Sequence, residues 1–314
     1  MHKILRFYNR NRIKVWTIII VIILGISLIQ TLNKKTIEES KKGENQEETT
    51  LNNVVSYDKQ SESIISQDNV PRKYSDEIGE VIDTFFSYCC NHEPEKAYDM
   101  LTDDIKNLKY PNKEIFIKNY YNNKFDGNKE YSFKSWIAKK NSYTYLVNIY
   151  ENMLSTGKSN NDEYIEDYIT VVPSEDTYKI NTDGYIGREF INKEAENENL
   201  NIKLSYKDIY MDYELGTFYV KNNTDDTIML DTMENTKNTY LVDSNKNKYD
   251  AFVYENKTED MILKSNQVKN VTIKFNVAYR EDLKIKAVCF SKIVNYVEYN
   301  NNKESESRVI KIEL

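Results

Sequence analysis

Glycine and proline are scarce, with eight Gly and four Pro in 314 residues, about a third of the ordinary share. That excludes collagen-like repeats and Pro/Gly-rich disorder. Histidine is rarer still. Only His2 and His92 occur, so a His-rich zinc site or an HExxH helix has no residues to build it. A Ser-His-Asp triad would have to use His92. Two of the three cysteines, Cys89 and Cys90, are neighbours in sequence and Cys289 is remote, which does not suit the geometry of a disulfide; no disulfide is expected. Gly184-Tyr185-Ile186-Gly187 lacks the spacing and the lysine of a phosphate-cradling loop. Asp243-Ser244-Asn245-Lys246-Asn247 opens like a calcium loop, but Lys248 stands where Gly is required and Tyr254 where Glu should chelate. A hairpin turn is expected there, and neither a metal nor a cofactor is predicted.

Positive charge is also short. The chain has 43 Lys and Arg against 50 Asp and Glu, net -7. Residues 75–195 carry 22 acids and 14 bases, and residues 196–314 carry 20 and 17. Both stretches would repel phosphate, so nucleic acid is excluded as a partner.

Apolar residues are concentrated near the amino terminus. Between Lys14 and Lys34 lie 19 residues without Lys, Arg, Asp or Glu, roughly 28 Å as a helix, close to a hydrocarbon core. Lys3, Arg6, Arg10, Arg12 and Lys14 precede them, and no acid occurs before Glu38. The spacing predicts a cytoplasmic tail at 1–14, an uncleaved transmembrane signal anchor at 15–32 and export of the rest. The competing reading is a cleaved signal, since Gly25-Ile26-Ser27 offers small residues after an apolar stretch. Residues 33–74, polar and without a sustained period, read as a disordered tether.

Order is expected from Ser75, as N-cap of a helix with Ile78, Val81, Ile82, Phe85, Phe86 and Cys89 on one stripe. Cys89 is expected in the core and His92 at the helix end, so the two do not read as a nucleophile and base. Glu93-Pro94 signals a second helix, and Ile115, Phe116, Ile117 and Tyr120 a third. After Gly127 the period changes to two, through Tyr131, Phe133 and Ile137, then Tyr143, Tyr145, Val147 and Ile149. The order of elements, with Ala97-Tyr98-Asp99-Met100-Leu101 on the short helix and Thr177-Tyr178-Lys179-Ile180 as the closing strand, resembles a nuclear-transport-factor-2-like domain over 75–195. The resemblance implies an α+β cone of three helices packed on a curved antiparallel sheet. From Asn201 onward short strands alternate between turn clusters. Val220-Lys221-Asn222-Asn223-Thr224-Asp225, Tyr240-Leu241-Val242-Asp243-Ser244 and Val271-Thr272-Ile273-Lys274-Phe275 resemble secreted immunoglobulin-like modules of unknown function from low-GC Gram-positive bacteria. This implies an all-β sandwich at 200–314.

A cone can enclose a pocket, and Trp136, Tyr145, Tyr164 and Tyr168 are its candidate lining, because Tyr has an apolar body and a polar tip. Core packing is the competing account. Glu163, Glu166 and Asp167 offer carboxylates, but on a loop-to-strand stretch where charges face water, so no catalytic residue is assigned. The function expected is a non-enzymatic binding protein of the cell membrane, single-pass and bulk-extracellular, contacting envelope or cell-surface proteins. Two alternatives remain: a subunit of a conjugative, type IV secretion-like channel, and a small-ligand carrier or enzyme using the cone pocket.

Overall fold

Ile78, Ile82, Phe85, Phe86 and Cys89 recur at helical spacing, and burying them requires a partner surface. A computed structural model describes residues 63–64, 70–139, 142–152, 164–175, 177–232, 238–251, 258–302 and 306–314. In it those five side chains lie fully buried on helix α1 (Arg72–Cys90). The helix starts one turn before the expected Ser75 cap, because Pro71 at φ -58° already sets the backbone for a first turn. It ends where His92 takes φ 61° and Tyr88 O accepts the Glu93 N–H, a left-handed stop past the last turn. The predicted tail 1–14, the apolar span 15–32 and the tether up to residue 62 lie outside the described residues.

Beyond α1 the helical chain is short-winded. It forms α2 (Pro94–Asp99), α3 (Asp103–Lys109), α4 (Lys113–Phe116), a π-helical turn (Ile117–Tyr121) and α5 (Asn122–Lys124). Each restart has its own cap. Pro94 takes a first-turn position, Thr102 Oγ1 accepts the Ile105 N–H, and Asn112 Oδ1 accepts the Ile115 N–H.

Three antiparallel sheets follow. The first runs in chain order through β1 (Lys129–Lys139), β2 (Ser142–Glu151), β3 (Tyr164–Ser174) and β4 (Thr177–Asn181). The remaining strands are β5 (Tyr185–Glu196), β6 (Leu200–Tyr210), β7 (Glu214–Asn222), β8 (Ile228–Met229), β9 (Thr239–Asp243), β10 (Lys248–Asp250), β11 (Ile262–Leu263), β12 (Val268–Phe275), β13 (Ile285–Asn295) and β14 (Arg308–Glu313). The second sheet has the order β12-β7-β6-β5, and the third the order β10-β9-β13-β8-β11 with β14 also paired to β13. One core joins α1 and the short helices to the first sheet, with Tyr185 and Tyr210. A second lies between the other two sheets, where Ile202, Phe218 and Ile273 meet Leu241, Val288 and Phe290. The Asp243 turn is the hairpin expected: its carboxylate accepts the Asn245 and Asn247 N–H groups and the Tyr249 hydroxyl.

The expected fold class is corrected here. Strands hold half of the described residues and helices about a quarter, and a cone of three helices on a curved sheet is not seen. The reason is local. Cap residues and prolines recur so often after Cys90 that α2 to α5 reach seven residues at most, too few turns to lay three helices across a sheet. Tyr185–Glu196 pairs with β6 in the second sheet. Among the described residues no helix is long and apolar enough to cross a membrane, and the 15–32 span lies outside them.

Parity along β1 also changes. Tyr131 and Phe133 pack on the first core, but a bulge between Ser135 and Ile137 inserts Trp136 as an unpaired residue. One extra residue reverses the alternation, so Ala138 enters the first core while Ile137 leaves it for a small third core with Ile186 and Met211.

Phe86 stacks on Tyr131 at 5.0 Å and meets Phe85 edge-on at 5.2 Å. Phe86→Ala should cost about 3–5 kcal/mol in urea denaturation. Phe190→Ala, at a position 73% exposed, should change the midpoint little. Gly216→Ala should also destabilise, since its Cβ would stand 2.8 Å from a Phe218 ring carbon and 3.2 Å from Phe275. A Phe86→Ala protein with the parental midpoint would contradict this packing.

Candidate functional site

The strand alternation Asp167, Ile169, Val171 puts a carboxylate on the same inward face as two fully buried aliphatics. Asp167 is 3% exposed. Its charge is met by Lys124, whose Nζ lies 2.9 Å from Asp167 Oδ1 and 2.8 Å from Asp183 Oδ1. Tyr120 donates its hydroxyl to Asp167 at 2.7 Å, Tyr110 donates to Asp183, and Lys109 Nζ stands 3.4 Å from Asp183.

Chain geometry supplies each member. Tyr120 and Lys124 sit across the end of the π-helical turn. Asp183 and Gly184 have φ 54° and 71°, and Tyr185 N–H donates to Thr182 O, the Asp-Gly turn that twists with its flanking strands. That turn is pinned on both sides: Gly184 N–H donates to Tyr168 O, and Gly184 O accepts from Met211 N–H.

Burial raises the Asp167 carboxyl, and Lys124 offsets this only in part. Burial would also raise Asp183, but the charges of Lys124 and Lys109 overcome it and hold that carboxyl below the usual range. For Lys124, burial lowers the ammonium and the two aspartates more than restore it. Burial and then the neighbouring Asp183 push the Tyr110 hydroxyl up, so it acts as a donor and not as a base.

The four residues predicted to line one pocket do not come together. Tyr145 lies in the first core, 1% exposed and edge-on to Phe133 at 5.8 Å. Trp136 and Tyr168 meet at 5.7 Å in the third core. Tyr164 is 51% exposed. Glu166 is exposed, and Glu163 lies outside the described residues. Asp167 was expected to face water and does not; its parity with Ile169 and Val171 is the signal that reveals it. Lys124 and Asp183 gave no pattern, because their meeting depends on the π-turn and on a tertiary contact. Cys89 is fully buried, its thiol pushed well up by burial, and burial raises the Cys90 thiol to about 11. Both thiols therefore stay protonated. His92 Nδ1 is hydrogen-bonded to the Tyr121 hydroxyl at 2.7 Å. All three cysteines are free. Among the described residues no group of three or more His, Cys, Asp or Glu is placed to hold a metal ion.

Open space lies at the surface. A groove of about 620 Å³ runs between α1, α2 and β4, with Glu77, Glu80 and Asp99 against Lys96 and Lys179. Both lysines are engaged, Lys96 with Glu93 and Lys179 with the Asp99 carbonyl. A second cleft of about 490 Å³ lies where β5 and β6 meet residues 279–286. Lys207 at its base is 6% exposed and has Nζ 3.0 Å from Glu214 Oε2 and 3.5 Å from Glu189 Oε2. Lys139 stands 4.5 Å over the Tyr279 ring.

Removing Lys124 strands two buried carboxylates, so Lys124→Met should cost about 3–5 kcal/mol at neutral pH. The aspartates should differ in sign. A depressed pKa makes Asp183 stabilising above its ordinary range, so Asp183→Asn should destabilise at neutral pH and lose its effect as pH falls through the folded pKa. A raised pKa means that ionising Asp167 costs stability as pH rises through the interval above its ordinary value. Asp167→Asn should then fare better relative to the parent at neutral pH than in acid. Urea denaturation across a pH series reads all three, and a Lys124→Met protein as stable as the parent would refute the network.

Compared with known proteins, the chain matches no family model, no curated protein and no solved structure.

Proposed function

We propose that this chain is a binding protein of the cell membrane, anchored through residues 15–32, with the described part exposed outside the cell and acting by contact with other envelope proteins. The observation that carries the reading is where space and charge are free. The interior beside the first sheet is filled by Phe85, Phe86, Phe116, Tyr120 and Phe125, each fully buried. Its ionised groups are bound to one another through Lys124, which argues against a substrate pocket there. Unfilled volume lies instead at the surface, and of the groove between α1, α2 and β4 and the cleft beside β5, the cleft is the one with exposed lysines that have no ion-pair partner among the described residues.

Two measurements test this on the full-length protein in its native membrane. External protease should remove the residues beyond about Lys34 while the mature chain keeps its amino-terminal peptide; a mature protein beginning at Leu28 would show cleavage of the span. A photo-reactive amino acid at Lys193 or Lys286 should yield a discrete higher-mass adduct, and one at Lys118 or Asn107, exposed on the helical side, should not. Adducts of the same kind from both sets, or from neither, would remove the cleft as a contact surface.

A further inference from the structure

The cleft beside β5 has a sign opposite to that of the chain. Six lining side chains are cationic (Lys139, Lys193, Lys207, Arg280, Lys284 and Lys286) and three are carboxylates, in a protein of net charge -7. Lys207 is committed to Glu214 and Glu189, and Arg280 reaches the Tyr249 hydroxyl at 3.1 Å. Lys193, Lys284 and Lys286 are exposed and have no ion-pair partner among the described residues. Between them the floor is apolar, through Ile191 and Ile209. Tyr279 also lines the cleft, and its hydroxyl is shielded from solvent with no hydrogen-bond partner among the described residues, a state that ordinarily costs about 1–3 kcal/mol.

β5 is the end strand of its sheet. From Gly187 to Glu196 its backbone pairs with β6 alone among the described residues; β14 packs against the same strand, so its outer N–H and C=O groups are left for another chain only where the cleft adjoins them. A lysine and a bulge on an edge strand by themselves only discourage such pairing. They do not account for an adjoining cleft of about 490 Å³ with apolar side chains between cationic ones.

We propose that this cleft binds an extended acidic peptide segment of a partner protein, which gives the binding reading above its chemistry. The acidic side chains would meet Lys193, Lys284 and Lys286. Alternate apolar side chains would cover Ile191, Ile209 and the ring of Tyr279. Strand addition of this kind takes affinity from the main chain and specificity from alternate side chains. A phosphate polymer would satisfy the lysines but would leave the apolar floor and the strand edge unused.

The test uses the full-length chain in nanodiscs and a fluorescein-labelled peptide alternating Glu and Val, with its Lys–Val counterpart and polyphosphate as comparisons, read by anisotropy. The Glu–Val peptide should bind and weaken with salt, and the Lys–Val peptide should not bind. Lys193→Glu with Lys286→Glu should weaken binding about tenfold or more. Tyr279→Phe, which removes the shielded hydroxyl and keeps the ring, should leave binding unchanged, with a melting temperature no lower than the parent's. Lys118→Glu should leave it intact. Equal binding of both peptides, binding that survives the double reversal, or binding of polyphosphate without the Glu–Val peptide would each overturn the proposal. A discrete cross-linked adduct from the cleft without Glu–Val binding would overturn the peptide chemistry and leave the binding reading standing.

Discussion

The turn Thr182-Asp183-Gly184-Tyr185 is the constraint on which the rest depends. Two consecutive left-handed residues reverse the chain there, and the reversal places Asp183 within reach of Lys124, Lys109 and the Tyr110 hydroxyl. The same four residues hand the backbone from β3 to β6 through Tyr168, Gly184 and Met211, and Met211 O then accepts from Tyr279 N–H. One tight turn thus fixes the charge at the heart of the first core and the relation of the first sheet to the second. Its sequence is the pair that tolerates φ > 0 at both central positions.

Charge inside this protein is retained by mutual satisfaction. Lys124 bridges two aspartates, Lys109 adds a second positive charge beside Asp183, and a tyrosine hydroxyl donates to each carboxylate. Such a cluster adds little net stability over an apolar filling of the same shape, but breaking it is expensive. It therefore dictates which arrangement of α3, α5, β3 and β5 is acceptable. A second cluster repeats the device beside it: Arg188 forks onto Asp208 at 2.9 and 3.0 Å, and Tyr185 donates to the same carboxylate. Polar order of this kind selects one packing among several that hydrophobic burial alone would permit.

Much of the secondary structure was legible in the sequence, and the reasons are visible residue by residue. The α1 stripe, apart from the half-buried Val81, and the alternation at Val147–Ile149, Ile202–Leu204 and Val271–Phe275 name side chains that are buried. The signal at Pro94 was read as the start of a packed helix; the caps at Thr102 and Asn112 crowd in behind it and keep the helices short. Trp136 shows the limit for the candidate pocket. A bulge leaves no mark in composition, yet it turned Ile137 out of the first core, while Trp136, on the face opposite Phe133, stands with Tyr168 and apart from Tyr145. Asp167 was open to the alternation rule and was set aside because it is charged. Its partner Lys124 lies 43 residues earlier in the sequence (167 minus 124) and belongs to no motif.

The π-helical turn at Ile117–Tyr121 holds one residue more than an α-helix would need for the same span. Each residue of a helix turns its successors by about 100°. The loss of a single codon in this stretch would be absorbed as ordinary α-helix with Lys124 still in register, whereas a codon lost from α5, which has no residue to spare, would swing Lys124 away from both aspartates.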